Sequence, residues 1–181
     1  MKGQYSLAMD SVNISQTRTI VPRLYYSNDL LAKIIDVLNK EKSKVKKSNK
    51  VLVSECNDQD PACIRAIDME RTISFSLEIL CFTQKRLQTI SRIDDIPKIF
   101  PSLVPMMRTI SAQLVDILPE SSRHLSELSV HLGSIILDSA TLTTAQFDFS
   151  HSNTESSLML DEVKLMVDCK LSKQYPHLDF F

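Results

Sequence analysis

The chain has 181 residues, a net charge of −1, 43% hydrophobic and 24% charged residues, which suits one domain, or one domain with a tail, and excludes a chain disordered by composition. No apolar run approaches the roughly 18–20 residues that cross a bilayer, and the opening MKGQYSLAMD lacks a signal-peptide core. A cytoplasmic protein is expected, with any membrane contact peripheral.

The first 22 residues are polar and without clear periodicity, and Pro22 marks their end. This segment reads as a frayed end or, through Ile14, Ile20, Val21, Tyr25 and Tyr26, as a partner- or membrane-touching one. Beyond it, Leu24, Leu31, Leu38, Val45 and Leu52 recur every seven residues, widened by Ile34, Ile35 and Val51. The second seam position is weakly filled by Ser27, Glu41 and Ser48. This heptad pattern predicts a helix over about 23–56, roughly 50 Å long.

Asp60 is then a good N-cap and Pro61 a good first helical residue. A second helix is predicted over about 61–93, striped by Ala66, Ile73, Leu80 and Leu87 with Met69, Leu77 and Ile90 in support. Two long heptad helices with a short connection make an antiparallel hairpin in which each hides the other's stripe. After the proline-punctuated IDDIPKIFPSLVP, a third helix is predicted over about 101–117, carrying Leu103, Met106, Met107, Ile110, Leu114 and Ile117. A fourth follows over about 119–139, carrying Leu125, Leu128, Leu132, Ile135 and Ile136. The Ser/Thr-rich stretch 139–156 reads as a flexible linker. A last amphipathic helix over about 157–173 holds Leu160, Val163, Val167 and Leu171, with a tail to residue 181. The fold class is therefore all-α: a long hairpin and shorter helices forming a core over 23–138, then a linker and a C-terminal helix.

Charge is distributed unevenly. Residues 1–92 hold fifteen Lys/Arg against ten Asp/Glu, net +5, and residues 93–181 hold six against twelve, net −6. NKEKSKVKKSNK, residues 39–50, alone contains six lysines. At about 100° per residue, Lys33, Lys40, Lys44 and Lys47 form a band opposite the Leu24–Leu52 seam. Lys42, Lys46 and Lys50 lie on one flank between band and seam. Such a face attracts anionic lipid at about 1 kcal/mol per nearby Lys or Arg, and it is equally what a solvated helix face looks like. No aromatic interleaves with these lysines to stack bases, so nucleic acid is not expected as a partner. The acidic C-terminal half can close on the basic hairpin or leave it open.

Catalytic chemistry is not visible. Gly3 and Gly133 are the only glycines, which removes Gly-rich phosphate loops, and there is no GxSxG or HExxH. His124 and His131 lie seven apart without a third ligand and read as surface or cap residues. Cys56, Cys63, Cys81 and Cys169 are far apart, without a CxxC pair, and read as buried thiols rather than metal ligands. Asp94 and Asp95 read as a helix-end feature, and Met106, Met107, Met159 and Met166 as core or adaptable contacts. No enzyme, metal or cofactor is expected. An adaptor or regulator that stays a small helical bundle and binds one protein partner is one reading of such a chain.

Three stretches suggest another. The basic helix with its partner across NDQDPACIRAIDMERTISFSLEILCFTQKRLQTI is the first. IFPSLVPMMRTISAQLVDILPESSRHLSELSVHLGSIILDSATL is the second, and SSLMLDEVKLMVDCKLSKQYPHL, ahead of a proline-containing end, is the third. In order, spacing and charge polarity, residues 23–178 resemble the ESCRT-III proteins, most closely the archaeal CdvB-type division proteins. The resemblance implies a subunit that polymerises with itself and with paralogues on anionic membranes and constricts necks in cell division or vesicle budding. It also implies an AAA ATPase partner, reached directly or through a paralogue, and a place on the inner face of the membrane at the division site. The lysines at 33, 40, 42, 44, 46, 47 and 50 become the lipid contacts, and the helix of Leu160, Val163, Val167 and Leu171 an autoinhibitory or partner helix. The chain departs from the fuller pattern in having only SKQYPHLDFF after Leu171, without a long proline-rich docking motif or a winged-helix extension.

Overall fold

A computed structural model of the chain describes residues 14–55, 60–143 and 149–176. They form five α-helices and one short 3₁₀ turn, with no strand among them. The helices are α1 (Ile14–Glu55), α2 (Pro61–Gln88), α3 (Ile96–Leu114), α4 (Pro119–Thr143) and α5 (Phe149–Gln174). The expected all-α class holds. The first thirteen residues, the Cys56 thiol, residues 144–148 of the expected linker and the tail beyond 176 lie outside the described residues.

Each helix grows from its local sequence. Asp60 caps α2 by accepting a 2.8 Å hydrogen bond from the Ala62 N–H, with Pro61 as the first helical residue. Asp95 accepts from the Arg92 N–H at 3.0 Å and so closes the 3₁₀ turn ahead of α3, which is the helix-end role expected of it. Along α1 and α2 the seven-residue stripes turn inward. Leu24, Leu31, Leu38, Ile73, Leu80 and Leu87 are all at most 3% exposed, while Val45 and Leu52, nearer the end of α1, are half-buried.

The hairpin is antiparallel. Asn49, late in α1, reaches Ala66 and Glu70, early in α2. A second pair forms between α3 and α4, where two serines interlock. Ser111 Oγ donates to the Ser122 carbonyl at 2.8 Å, and Ser122 Oγ donates back to the Ser111 carbonyl at 2.7 Å. Hydroxyls this short let the two backbones approach while leaving no buried donor idle. The helices close into a ring: α1 lies against α2 and α4, α4 against α3, and α5 against α3 and α2, with α2 and α3 touching across the middle. Phe100, Met106, Met107, Leu103, Ile110 and Leu114 of α3 fill that middle, each at most 1% exposed.

Several boundaries differ from the sequence expectations. Pro22 does not start α1 but lies inside it, and Ile20, once a candidate membrane-touching residue, is 0% exposed in the core. Pro101 and Pro105 lie inside α3. An interior proline costs about 3 kcal/mol through a lost hydrogen bond and a ring clash. Burying one large apolar side chain returns about 1.5–3 kcal/mol. The six buried residues of α3 outweigh two prolines, so tertiary packing overrides the local signal. The expected flexible linker 139–156 is largely helical: α4 continues to Thr143 and α5 begins at Phe149. Ser139 at the end of α4 is 0% exposed and donates to the Ile136 carbonyl, and Ser156 in α5 is 2% exposed and donates to the Ser102 carbonyl, both at 2.8 Å. Serine-rich composition reads as linker only while its hydroxyls face water; here they have helical and interhelical acceptors. Val51 and Met69, placed on the stripes from spacing, are 57% and 40% exposed. Two of the four cysteines depart from the buried-thiol reading, since Cys81 is half-buried and Cys169 exposed; Cys63 is buried as expected.

Candidate functional site

Two surfaces hold the residues singled out from sequence: the lysine-bearing end of α1, and the seam where α5 lies over α2 and α3.

The seven lysines do not form one uniform face. Lys33, Lys40 and Lys44 are exposed, but each is paired one turn back along α1, with Asp29 at 3.1 Å, Asp36 at 2.6 Å and Glu41 at 2.6 Å. Such pairs stabilise a helix by only about 0.3–0.5 kcal/mol each, yet they cancel the charge a lipid surface would meet. Lys42 departs from the lipid-contact reading more strongly. It turns toward α2 and is half-buried, and burial is the largest influence lowering its pKa, with Lys170 and Lys46 acting the same way against Glu78 and Glu70. Lys46, Lys47 and Lys50 remain exposed, with no ion pair among the described residues. Val51 and Ile64 stand exposed at the same end of the hairpin.

The α5 seam is polar at its key points. Arg71 of α2 grips Asp168 with both ends of its guanidinium, Nε to Oδ1 at 2.5 Å and Nη2 to Oδ2, and the aspartate side chain is 5% exposed. Lys170 Nζ reaches Glu78 Oε1 at 2.6 Å, and Arg86 lies 4.0 Å from Glu155. The start of α5 lies beside the end of α2, at Arg86 and Glu155, and its end beside the start of α2, at Glu70 and Gln174, so the two helices are antiparallel. The acidic half does close on the hairpin, but through arginines, Arg71 and Arg86 of α2 and Arg23 of α1, rather than through the lysines of α1.

Beyond the ion pairs lies a residue that sequence reasoning missed. Glu70 of α2 is 1% exposed. Its Oε2 accepts from Asn49 Nδ2 at 2.8 Å and from Tyr175 Oη at 2.7 Å, and its Oε1 accepts from Gln174 Nε2 at 2.9 Å. Burial, then the Glu70 contact, pushes the Tyr175 phenol up to about 12. A buried carboxylate is tolerated only when its oxygens are satisfied, and two of the three donors come from the last turn of the C-terminal helix and the residue after it. The signal available in the sequence is that Glu70, unlike neighbouring Asp68, falls at helical spacing between Ile67 and Ile73 on the face that otherwise carries apolar residues. Below this point Val167, Leu171 and Tyr175 are at most 4% exposed, while Leu160 and Val163 are half-buried. Leu158 and Leu165 point away from the bundle at 66% and 59% exposure.

The opposite side of α1 meets α4 through another polar set. Arg23 pairs with Asp138 and donates to Ser134 Oγ at 3.0 Å, and Tyr26 Oη donates to Glu127 at 2.7 Å while the Tyr26 and His131 rings meet in a T-shaped contact, centroids 5.2 Å apart. His131 itself lies 3.6 Å from Glu127. Among the described residues, no cluster of His, Cys, Asp and Glu could hold a metal ion, and no helix is long and apolar enough to cross a membrane. No protein-family profile matches this chain, and no solved structure matches it.

Proposed function

We propose that this chain is a subunit of an ESCRT-III-type membrane-remodelling filament, seen in a closed form. The observation that carries the reading is the end of the α1–α2 hairpin. There Lys46, Lys47 and Lys50 stand unpaired among the described residues, beside exposed Val51 and Ile64, on a molecule whose last helix is fastened over α2 and α3 by polar contacts. The lysines supply attraction of about 1 kcal/mol each to an anionic bilayer, and the exposed aliphatics supply shallow contact. One protomer binds weakly; many in register bind well, because each added copy engages an already concentrated surface.

In this reading α5 covers the faces of α2 and α3 that neighbouring copies or paralogues use, and its release precedes assembly. A dedicated AAA ATPase, engaged directly or through a paralogue, would take the polymer apart, and the site of action is a division or budding neck reached from the cytoplasmic side. Sedimentation with anionic liposomes at low and high salt tests it. Salt-sensitive co-pelleting, and filaments under the electron microscope for a variant with a weakened α5 seam, are expected. A monomer that ignores lipid and never assembles instead supports a small helical-bundle adaptor with one protein partner.

A further inference from the structure

Where α5 lies over α2 and α3, the packing leaves an open cavity of about 330 Å³. That volume falls in the usual range for a small-molecule pocket, about 300–1,000 Å³. Asp68, Arg71 and Phe75 line it from α2, and Gln113 from α3. Lys164, Val167 and Asp168 close it from α5. Arg71 and Asp168 hold each other across the middle through Nε and Nη2. The charges on either side of that pair are unanswered. Asp68 and Lys164 are exposed, and neither has an ion pair among the described residues. Asp68 acts on Arg71 only through space, more weakly than Asp168 does.

Antiparallel packing sets these two charges at opposite ends of the cavity. Arg71 meets Asp168, so Lys164, one turn earlier in α5, lies level with Phe75, one turn later in α2. From Asp68 to Phe75 the helix rises roughly 10 Å, at about 1.5 Å per residue. One end is therefore acidic and the other basic. Phe75 and Val167, 8% and 1% exposed, make the basic end apolar beneath its lysine. A pure anion would meet Asp68, and a pure cation would meet Lys164. A molecule with both charges, set apart along an apolar body, satisfies the two ends together.

We infer that this cavity binds a short apolar peptide of about three residues, free at both ends, because three extended residues at roughly 3.3–3.6 Å each match that separation. Its ammonium group pairs with Asp68 and its carboxylate with Lys164. Arg71 keeps Nη1 without an acceptor among the described residues, and Gln113 brings an amide, so both can donate to the peptide's carbonyls. An apolar side chain of the peptide lies on Phe75 and Val167. Since one wall belongs to α5, occupancy stabilises the docked helix by mass action. The site needs α5 docked and does not depend on filament formation.

Titration calorimetry of the full chain with trileucine tests the site, alongside dileucine, N-acetyl-trileucine and trileucine amide. Trileucine should bind. Blocking either terminus should weaken it about fivefold, the upper end for one exposed ion pair. Dileucine should bind more weakly, because it reaches only one charged end at a time. Asp68→Asn should weaken trileucine by the same factor and leave the N-acetyl peptide unchanged. Lys164→Gln should weaken trileucine and leave the amide unchanged. Loss of folding would instead weaken every ligand alike, so this matching of terminus to side chain belongs to the site. Asp161→Asn, on α5 outside the cavity, should change nothing. No trileucine binding, blocked peptides or dileucine that bind equally well, or a Lys164→Gln variant that weakens the amide as much as the free peptide overturns the inference.

Discussion

Tyr175, just past the end of α5, donates its hydroxyl to Glu70 Oε2 at 2.7 Å and so ties the end of α5 to the first half of α2 across 105 residues of sequence. The bond gives a buried carboxylate one of its three donors. Tyr175→Phe keeps the ring and removes the donor. A hydrogen bond to a charged group contributes about 1.5–3 kcal/mol, so the variant should lose that much in urea unfolding. Amide exchange should accelerate in α5 before it does in α3. Uniform acceleration across all helices would mean that the tyrosine supports the whole bundle rather than α5.

The same bond sets an alkaline limit. The Tyr175 phenol is raised from 10.0 to about 12, so the fold holds the protonated form more tightly than the unfolded chain does. Its contribution is intact below pH 10 and is lost as pH rises from 10 through about 12. Wild type should therefore lose more stability than Tyr175→Phe across that window, as followed by helical ellipticity against tyrosinate absorbance. Parallel pH curves for the two proteins would rule this out.

Arg71 and Asp168 form the other anchor. Removing Arg71 leaves an aspartate that is 5% exposed without its cation. Breaking a buried pair costs about 3–5 kcal/mol; with the guanidinium 31% exposed, a loss of about 2–3 kcal/mol is expected for Arg71→Ala. The pair itself contributes far less than its halves suggest. Arg71→Leu with Asp168→Leu should recover most of that loss, because the burial penalty of both charges disappears. A double-mutant cycle in denaturant measures the coupling.

The lysines divide by their partners. Charge reversal at Lys46, Lys47 and Lys50 should abolish co-sedimentation with anionic vesicles. The same change at Lys33, Lys40 and Lys44 should have a smaller effect on binding, since their charges are already answered within α1. It should cost some helix stability as well, by placing like charges one turn apart. Equal loss in the two triple variants would mean that overall charge, not position, governs attachment.

How much of this was legible depended on distance along the chain. The seven-residue stripes, the Asp60–Pro61 start and the Asp95 cap depend on residues within a turn or two, and spacing alone predicts them. Pro22 and Pro101 misled because a proline's local penalty is visible in sequence, whereas the packing that offsets it is not. The stretch 139–156 misled for a related reason: Ser139 and Ser156 read as linker until the Ile136 and Ser102 carbonyls are brought to them. Val51 and Met69 fit the stripes by number but lie on faces that no neighbouring helix covers.

The order of helical segments, their apolar stripes and the crowding of lysines into residues 39–50 were settled by the sequence, because helical periodicity and charge are properties of short windows. Only the tertiary structure decided that Lys42 turns inward while Lys47 stays free, that Glu70 is enclosed, and that α5 lies over α2. Those outcomes depend on which helices abut, and a charged side chain acquires its partner and its burial only from that arrangement.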